Sequence, residues 1–175
     1  MCTRVATSAG RPEEHIDPVL QLLVDLTREG AVIAAFQSTH EKFRRYHADL
    51  LRLAAVAASD ERARDELLRT LDAYAELFHE HHHAEDNYLF PALHKAEPAM
   101  DTVVDRLADQ HQQLGIRLGE LLNQARSIRA AGARDDRVAP LVDALMALRA
   151  HVEEHLQLEE TVTVPVVQAW NSWPI

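Results

Sequence analysis

The chain has 175 residues, a net charge of −10 with histidines counted as neutral, and 47% hydrophobic but only 5% aromatic residues. This length predicts one domain that is large enough to bury a core, and the negative charge argues against nucleic acid or an anionic membrane as the main partner. The single cysteine, Cys2, excludes an intramolecular disulfide and a cysteine-based zinc site.

The elements predicted along the chain are all helical. Residues 1–15 are predicted to be a flexible tail, and Asp17 followed by Pro18 predicts a short helix over about 18–28, which ends near Gly30. Four long helices are predicted over about 31–58, 60–90, 99–130 and 135–165, with Ser59 or Asp60 as the cap of the second. In this interpretation "FPAL" bends or ends the second long helix, and "TVTVPVV" is a frayed helical end.

Long helices joined by short loops predict an all-α fold, an antiparallel up-down four-helix bundle over residues 16–168 with a short extra N-terminal helix. Residues 169–175 are then a C-terminal tail, in which Trp170 and Trp173 are expected to dock on the bundle or to form a dimer contact. We therefore expect a monomer or a homodimer. The first residues contain no apolar stretch of signal-peptide length, and no apolar run approaches about 18 residues, so a cytoplasmic location is expected.

Histidines interrupt the apolar stripe of every long helix, which recurs at alternating steps of three and four residues. The polar residues on these stripes are His40 and His47 in the first long helix, His81 and Glu85 in the second, His111 in the third, and His155 and Glu159 in the fourth. Residues four apart on a helix have Cβ atoms about 5–6 Å apart, so each His/Glu pair can reach one ion or two adjacent ions. An isolated buried carboxylate is costly, and cations at the centre account for these residues more simply than a metal-free core.

Other histidines, acids and tyrosines near these stripes have weaker predicted roles. Direct metal binding is not favoured for His82, His83, Asp86 and His151, which are expected in an outer shell or in solvent. His15, His79 and His94 are predicted to lie on the surface. Tyr74 and Tyr88 fall on the buried stripe and could donate hydrogen bonds near the site, although packing in the core is their commoner role.

Imidazole and carboxylate ligands without thiolate suit iron, manganese or zinc. Two glutamates that can bridge, together with histidines from four helices, predict a dinuclear site. Ferritin-like bundles are glutamate-rich and use a Glu-x-x-His spacing, whereas this chain has more histidines and the spacing His-x-x-x-Glu.

The segments "HEHHHAEDNYLFPAL" and "HVEEHLQLEETVTVP", with "THEKFRRYH" and "DQHQQL", resemble the hemerythrin-like, or HHE cation-binding, family over about residues 16–168. This resemblance implies a centre with two non-haem iron ions, for which zinc or manganese could substitute. It implies bridging roles for Glu85 and Glu159. The ligands it implies are His40, His81, Glu85, His111, His155 and Glu159.

One position departs from the oxygen-carrying members of the family. They have a second histidine one turn after the third-helix ligand, where this chain has Gly115. The implied site has one imidazole fewer unless His47 supplies it, and an open position would favour chemistry at iron over plain oxygen storage.

The leading functional hypothesis is a di-iron protein that binds or reacts with O2, NO or peroxide, or that handles iron under oxidative or nitrosative stress. A non-catalytic, metal-stabilised sensor or interaction module and an O2 storage protein are the alternatives. An enzymatic activity is left open. The blandest alternative is a structural bundle with surface histidines, which predicts that His81→Ala and His155→Ala barely change the metal content.

Overall fold

A computed structural model describes residues 17–28, 30–131 and 135–174, and it contains helices and no strand within those ranges. The predicted tail, residues 1–15, lies outside the described residues. The helices are α1 (Pro18–Arg28), α2 (Val32–Ala54), α3 (Glu61–Ala84), α4 (Phe90–Ala96), α5 (Asp101–Ala131) and α6 (Asp135–Gln168). A π-helical turn, Glu85–Leu89, joins α3 to α4, and a 3₁₀ turn, Pro98–Met100, precedes α5.

Local capping explains where the first helices begin and end. Asp17 accepts hydrogen bonds from the backbone N–H groups of Val19 and Leu20 at 2.8 and 3.3 Å, as its position before Pro18 predicts. Gly30 has a φ of +68°, a conformation that favours glycine, and this residue turns the chain between α1 and α2. Asp60 rather than Ser59 caps α3, accepting from the N–H groups of Arg62 and Ala63 at 2.9 and 3.2 Å.

The structure refines the sequence prediction around one proline and contradicts it around another. The second long helix does not end at "FPAL", because a π-helical turn lies just before Pro91 and the chain continues as α4; a bend at this point stays a prediction. A wider turn accommodates a residue that lacks an N–H group. The frayed end predicted for "TVTVPVV" was wrong, since α6 continues through Pro165 to Gln168 and Thr163 and Val167 are buried on it.

The four long helices pack as a closed ring, in which α2 contacts α3, α3 contacts α5, α5 contacts α6, and α6 contacts α2. Two groups of buried apolar residues fill the interior. The larger, here called the leucine-rich cluster, includes Leu50, Leu67, Leu71, Leu118, Leu121, Leu141 and Leu145. The smaller, here called the aromatic-end cluster, includes Phe90, Leu93, Val104, Leu107, Val167 and Trp173.

The buried histidines and glutamates lie between these two clusters along the helices. On α3 and its continuation, for example, the order is Leu71, His81, Glu85 and Leu93. The C-terminal segment docks on the aromatic-end cluster, where Trp173 is 4% exposed and its ring meets that of Trp170 edge to face at 5.3 Å. Within the described ranges, none of the helices combines the length and the apolar character needed to cross a bilayer.

Candidate metal centre

Seven buried side chains converge between the two apolar clusters, and they fall into two groups of four that share Glu85. In each group, one potential ligand atom per residue lies within 4.8 Å of the others. The imidazole-rich group consists of His82, Glu85, His111 and His155, and the carboxylate group consists of His40, His81, Glu85 and Glu159. These seven residues, here called the ligand layer, come from α2, α3, the π-helical turn, α5 and α6.

Three of the histidines are oriented by an acceptor behind the ring. The Nδ1 atoms of His40 and His111 lie 2.8 and 2.7 Å from carboxylate oxygens of Glu160 and Asp86. A carboxylate can only accept, so each Nδ1 carries the proton and each Nε2 presents a lone pair to the interior. Histidine ligands of metals are commonly fixed in this way.

His155 completes this pattern and faces His111 across a short nitrogen–nitrogen contact. Its Nδ1 lies 3.1 Å from Oε1 of Gln110, and its Nε2 lies 3.2 Å from Nε2 of His111. With both Nδ1 atoms donating outward, the two facing Nε2 atoms are both acceptors and cannot hydrogen-bond to each other. A shared cation would turn this repulsion of two lone pairs into two favourable contacts.

Most of the buried nitrogen and oxygen atoms that face the interior of the ligand layer have no hydrogen-bond partner. The atoms that lack a hydrogen-bond partner include Nε2 of His40 and His81, Nδ1 of His82, and both carboxylate oxygens of Glu85 and Glu159. His81 Nε2 and Glu85 Oε1 are 3.1 Å apart, but without hydrogen-bond geometry. Buried polar atoms are rarely left unpaired, and nitrogen and oxygen lone pairs aimed at common points fit divalent or trivalent metal ions.

Burial also fixes the charge of the imidazoles. Desolvation lowers the pKa of His81 to about 3 and that of His155 to about 4, and it lowers the pKa of His82 as well. These rings are therefore neutral at pH 7, which is the protonation state that binds metals.

The two buried glutamates are pushed in opposite directions. Burial and the nearby charge of Glu159 raise the pKa of Glu85 well above its usual value. Burial also disfavours the Glu159 carboxylate, but the positive charge that His40, His81 and His155 carry when they are protonated outweighs burial and lowers the pKa of Glu159 to about 2. Two carboxylates in one enclosed site therefore do not both ionise readily without a cation.

The comparison with protein families agrees with this geometry. A family model described as the hemerythrin HHE cation binding domain matches residues 31–167. The chain belongs to this family. Comparisons with curated proteins and with solved structures returned no match. The family and the His/Glu groups together are compatible with metal binding by this hemerythrin HHE chain.

The structure brings together all six residues that the sequence analysis named as ligands. His40, His81 and Glu159 lie in the carboxylate group, His111 and His155 in the imidazole-rich group, and Glu85 in both. Glu159 belongs to one group only, although its Oε2 is 3.7 Å from Nε2 of His155 in the other. Among the described residues, Glu85 is therefore the one that the two groups share.

His82 is the member of the ligand layer that sequence reasoning placed outside the ligands. It is 7% exposed, its ring stacks on His111 at 3.8 Å, and it meets Phe78 at 3.9 Å. The available signal was the spacing of four from Phe78 and of seven from Ala75, both of which are buried. His82, on α3, also brings the histidines in the ligand layer to five.

The other flagged residues lie outside both groups. His47 is buried, and its Nε2 is 2.9 Å from the hydroxyl of Tyr74, whose pKa is raised by burial. Tyr88 is half-buried and hydrogen-bonds to Asp17 rather than reaching the ligand layer. Asp86 accepts from His111, and exposed His151 donates from Nδ1 to the carbonyl of Ala147 on its own helix.

Proposed function

We propose that this protein is a non-haem di-iron protein whose centre binds or reacts with a small ligand such as O2, NO or peroxide. The observation that carries the proposal is Glu85, which belongs to two four-residue ligand groups at once. A carboxylate has two oxygens, so one residue can bind two ions side by side. When bound, iron supplies open coordination positions and a change of oxidation state.

We also infer that α2, α3, α5 and α6 run antiparallel in an up-down bundle. As α2 advances from His40 to Arg44, its partners on α6 retreat from Glu160 to Glu153. The pairs Asp86–His111 and Asp72–Arg129 show the same opposed order between the α3 segment and α5. This arrangement explains how ligands near the C-terminal ends of two helices reach the level of ligands nearer the N-terminal ends of the others.

The protein's own residues would hold two ions asymmetrically. The imidazole-rich group offers three nitrogens and one carboxylate, and the carboxylate group offers two nitrogens and two carboxylates. Four protein residues per ion leave positions open when iron is six-coordinate. Asp86, Gln110 and Glu160 hold the rings of His111, His155 and His40 in the orientation that binding requires.

An apolar cavity of about 180 Å³ reaches the carboxylate group and supports a small, uncharged ligand. Its walls include Phe36, Leu89 and Trp173, and it touches His81 and Glu85. The hydroxyl of Thr163, which also lines the cavity, is donated to the carbonyl of Glu159 on its own helix, so it adds little polarity. Such a space admits a diatomic molecule or a peroxide more readily than a charged metabolite, because apolar walls give an ion no compensation for lost water.

Metal analysis of protein purified anaerobically from its own host tests the proposal. We expect about two irons per chain, as the two ligand groups imply, and visible or near-ultraviolet absorption that changes on addition of azide or peroxide. His81→Ala and His155→Ala should each lose metal, whereas the exposed His151→Ala should not. Protein that retains no iron after this preparation would overturn the proposal.

Oxygen- and peroxide-consumption assays on the iron-loaded protein then divide the functional alternatives. Turnover supports a reactive centre that acts under oxidative or nitrosative stress. Reversible spectral change without turnover supports an O2 storage protein or a non-catalytic sensor instead.

A further inference from the structure

A second cluster of histidines lies outside the ligand layer, at the mouth of a surface cleft of about 600 Å³. His79 and His83 are exposed on its rim, and the ligand-layer residues His82 and His111 line the same cleft. His79 and His83 are not among the ligands of the proposed di-iron centre. Their position connects solvent with the imidazole-rich group.

The two rim histidines have the spacing of a chelating pair. They are four residues apart on α3, so their Cβ atoms lie about 5–6 Å apart on one face of the helix. Two imidazoles at this spacing bind a divalent transition-metal ion when they lie on one helical face. The ring of Phe78 meets His79 edge to face at 5.9 Å, which restricts where that imidazole can point.

The surroundings of the pair favour a cation over an anion. Glu80 and Asp86 line the cleft, and the chain as a whole carries a charge of −10. Negative charge around a cleft raises the local concentration of cations. Nδ2 of Asn87 lies 3.0 Å from Nδ1 of His83 and donates to the backbone carbonyl of His83 at 2.8 Å, so this amide contacts the Nδ1 side of the ring and leaves Nε2 free of it.

The floor of the cleft supplies an acceptor for the ion. His82 lines the cleft, is 7% exposed, and has a buried Nδ1 without a hydrogen-bond partner. It also belongs to the imidazole-rich group, so the same side chain faces both the cleft and the interior ligands. His82 lies three residues after His79 along α3, which is about one helical turn, and immediately before His83.

We infer that His79 and His83 form a surface site for a divalent transition-metal ion, from which the ion passes through His82 and His111 to the interior. The passage exchanges water and imidazole ligands and involves no change of oxidation state. The surface site stands on its own geometry, whereas its loading role rests on the proposed metal centre.

Titration of the iron-loaded protein with Ni²⁺ tests the surface site directly. We expect one Ni²⁺ per chain in the wild type and in His151→Ala, which removes an exposed histidine of α6 outside this cleft. In the double variant His79→Ala/His83→Ala we expect this binding to weaken by about tenfold or more, because one chelating pair is lost. Equal Ni²⁺ binding in the double variant and the wild type would overturn the surface site.

Stopped-flow loading of the metal-free protein with Co²⁺ tests the passage to the interior. The double variant should load about tenfold more slowly than the wild type and His151→Ala, yet reach the same final metal content. Equal loading rates would overturn the loading role. If even the wild type retains no interior metal, the proposed di-iron function fails, and Ni²⁺ titration of the metal-free protein still decides the surface site.

Discussion

The leucine-rich cluster and the ligand layer are buried to a similar extent on the same four helices. They differ because apolar side chains need only packing contacts, whereas buried polar atoms need hydrogen-bond partners or bound ions. Leu71, Leu118 and Leu145 are fully enclosed by other side chains and need nothing further. In the ligand layer, both oxygens of Glu85 and of Glu159 lack hydrogen-bond partners. Each unpaired buried polar group costs about 1–3 kcal/mol, so the first region stabilises the fold and the second destabilises it unless cations are bound.

The largest effect is expected from Glu85→Ala, which removes the residue common to both ligand groups. We expect the metal content to fall from about two ions per chain to near zero, because each ion loses a carboxylate. The helical content should persist, since the leucine-rich cluster is untouched. Elemental analysis and far-ultraviolet circular dichroism measure the two quantities.

The matched control for this variant is Glu76→Ala, an exposed glutamate on α3 outside both groups and outside the surface cleft. It should keep the metal content of the wild type. Retention of both ions by Glu85→Ala would show that Glu85 does not bridge.

The opposite result is expected from Leu145→Ala in the leucine-rich cluster. Leu145 is 0% exposed, so the truncation leaves a cavity and should lower the free energy of unfolding by about 2–5 kcal/mol. The number of bound ions should not change. Denaturant unfolding and metal analysis check the two halves of this prediction, with the neighbouring Met146→Ala, at a position 58% exposed, as the control. If Leu145→Ala bound fewer ions than the wild type at a saturating metal concentration, packing in the leucine-rich cluster would also control metal binding in the ligand layer.

The fold was predictable where local chemistry decides it. The range 18–28 expected for the first helix matches α1, because Asp17, Pro18 and Gly30 are signals within the segment itself. The end of α2 at Ala54 was missed by about four residues, since the segment "AVAAS" that follows favours helix by its composition. Helix pairing and the π-helical turn depend on the whole chain.

How many residues of the ligand layer can be predicted from the sequence depends on how wide the buried face of each helix is assumed to be. Following α3 along a single line through Phe78, His81 and Glu85 selected two members of the ligand layer and placed His82 beside that line. This segment contacts both α2 and α5, so its buried face is broader than one line of residues. The orienting role of Asp86 and the partner of His47 require side-chain positions that no periodicity supplies.

His47 is a buried histidine outside the ligand layer, so it shows how burial alone affects an imidazole in this bundle. Burial, with a contribution from Arg149, lowers its pKa from 6.5 to about 4, while Glu153 opposes the shift. The unfolded chain therefore takes up a proton first as the pH falls, and stability is lost progressively between about pH 6.5 and pH 4. The loss is about 1.4 kcal/mol per unit of pH shift, or about 3 kcal/mol in all.

Metal-free wild type and His47→Gln should therefore diverge in acid. Glutamine can still hydrogen-bond to Tyr74 but does not titrate, so its free energy of unfolding should fall by about 3 kcal/mol less over this range. In metal-free protein, the buried histidines of the ligand layer contribute equally to the pH dependence of stability in the wild type and in His47→Gln. Parallel stability curves from urea unfolding at several pH values would contradict a neutral, buried His47.

The smallest expected effect comes from Glu160→Gln, at the border between the ligand layer and solvent. Glu160 accepts from Nδ1 of His40 at 2.8 Å and from Arg44 at 3.0 Å, so it fixes the ring that presents Nε2 to the carboxylate group. An amide keeps the shape but can also donate, which weakens its hold on the ring, and metal affinity should fall by roughly 10–100-fold. Competition with a chelator of known affinity measures the change, and the exposed Glu154→Gln on the same helix is the control. Equal affinities in the two variants would mean that burial alone, without Glu160, is sufficient to orient His40.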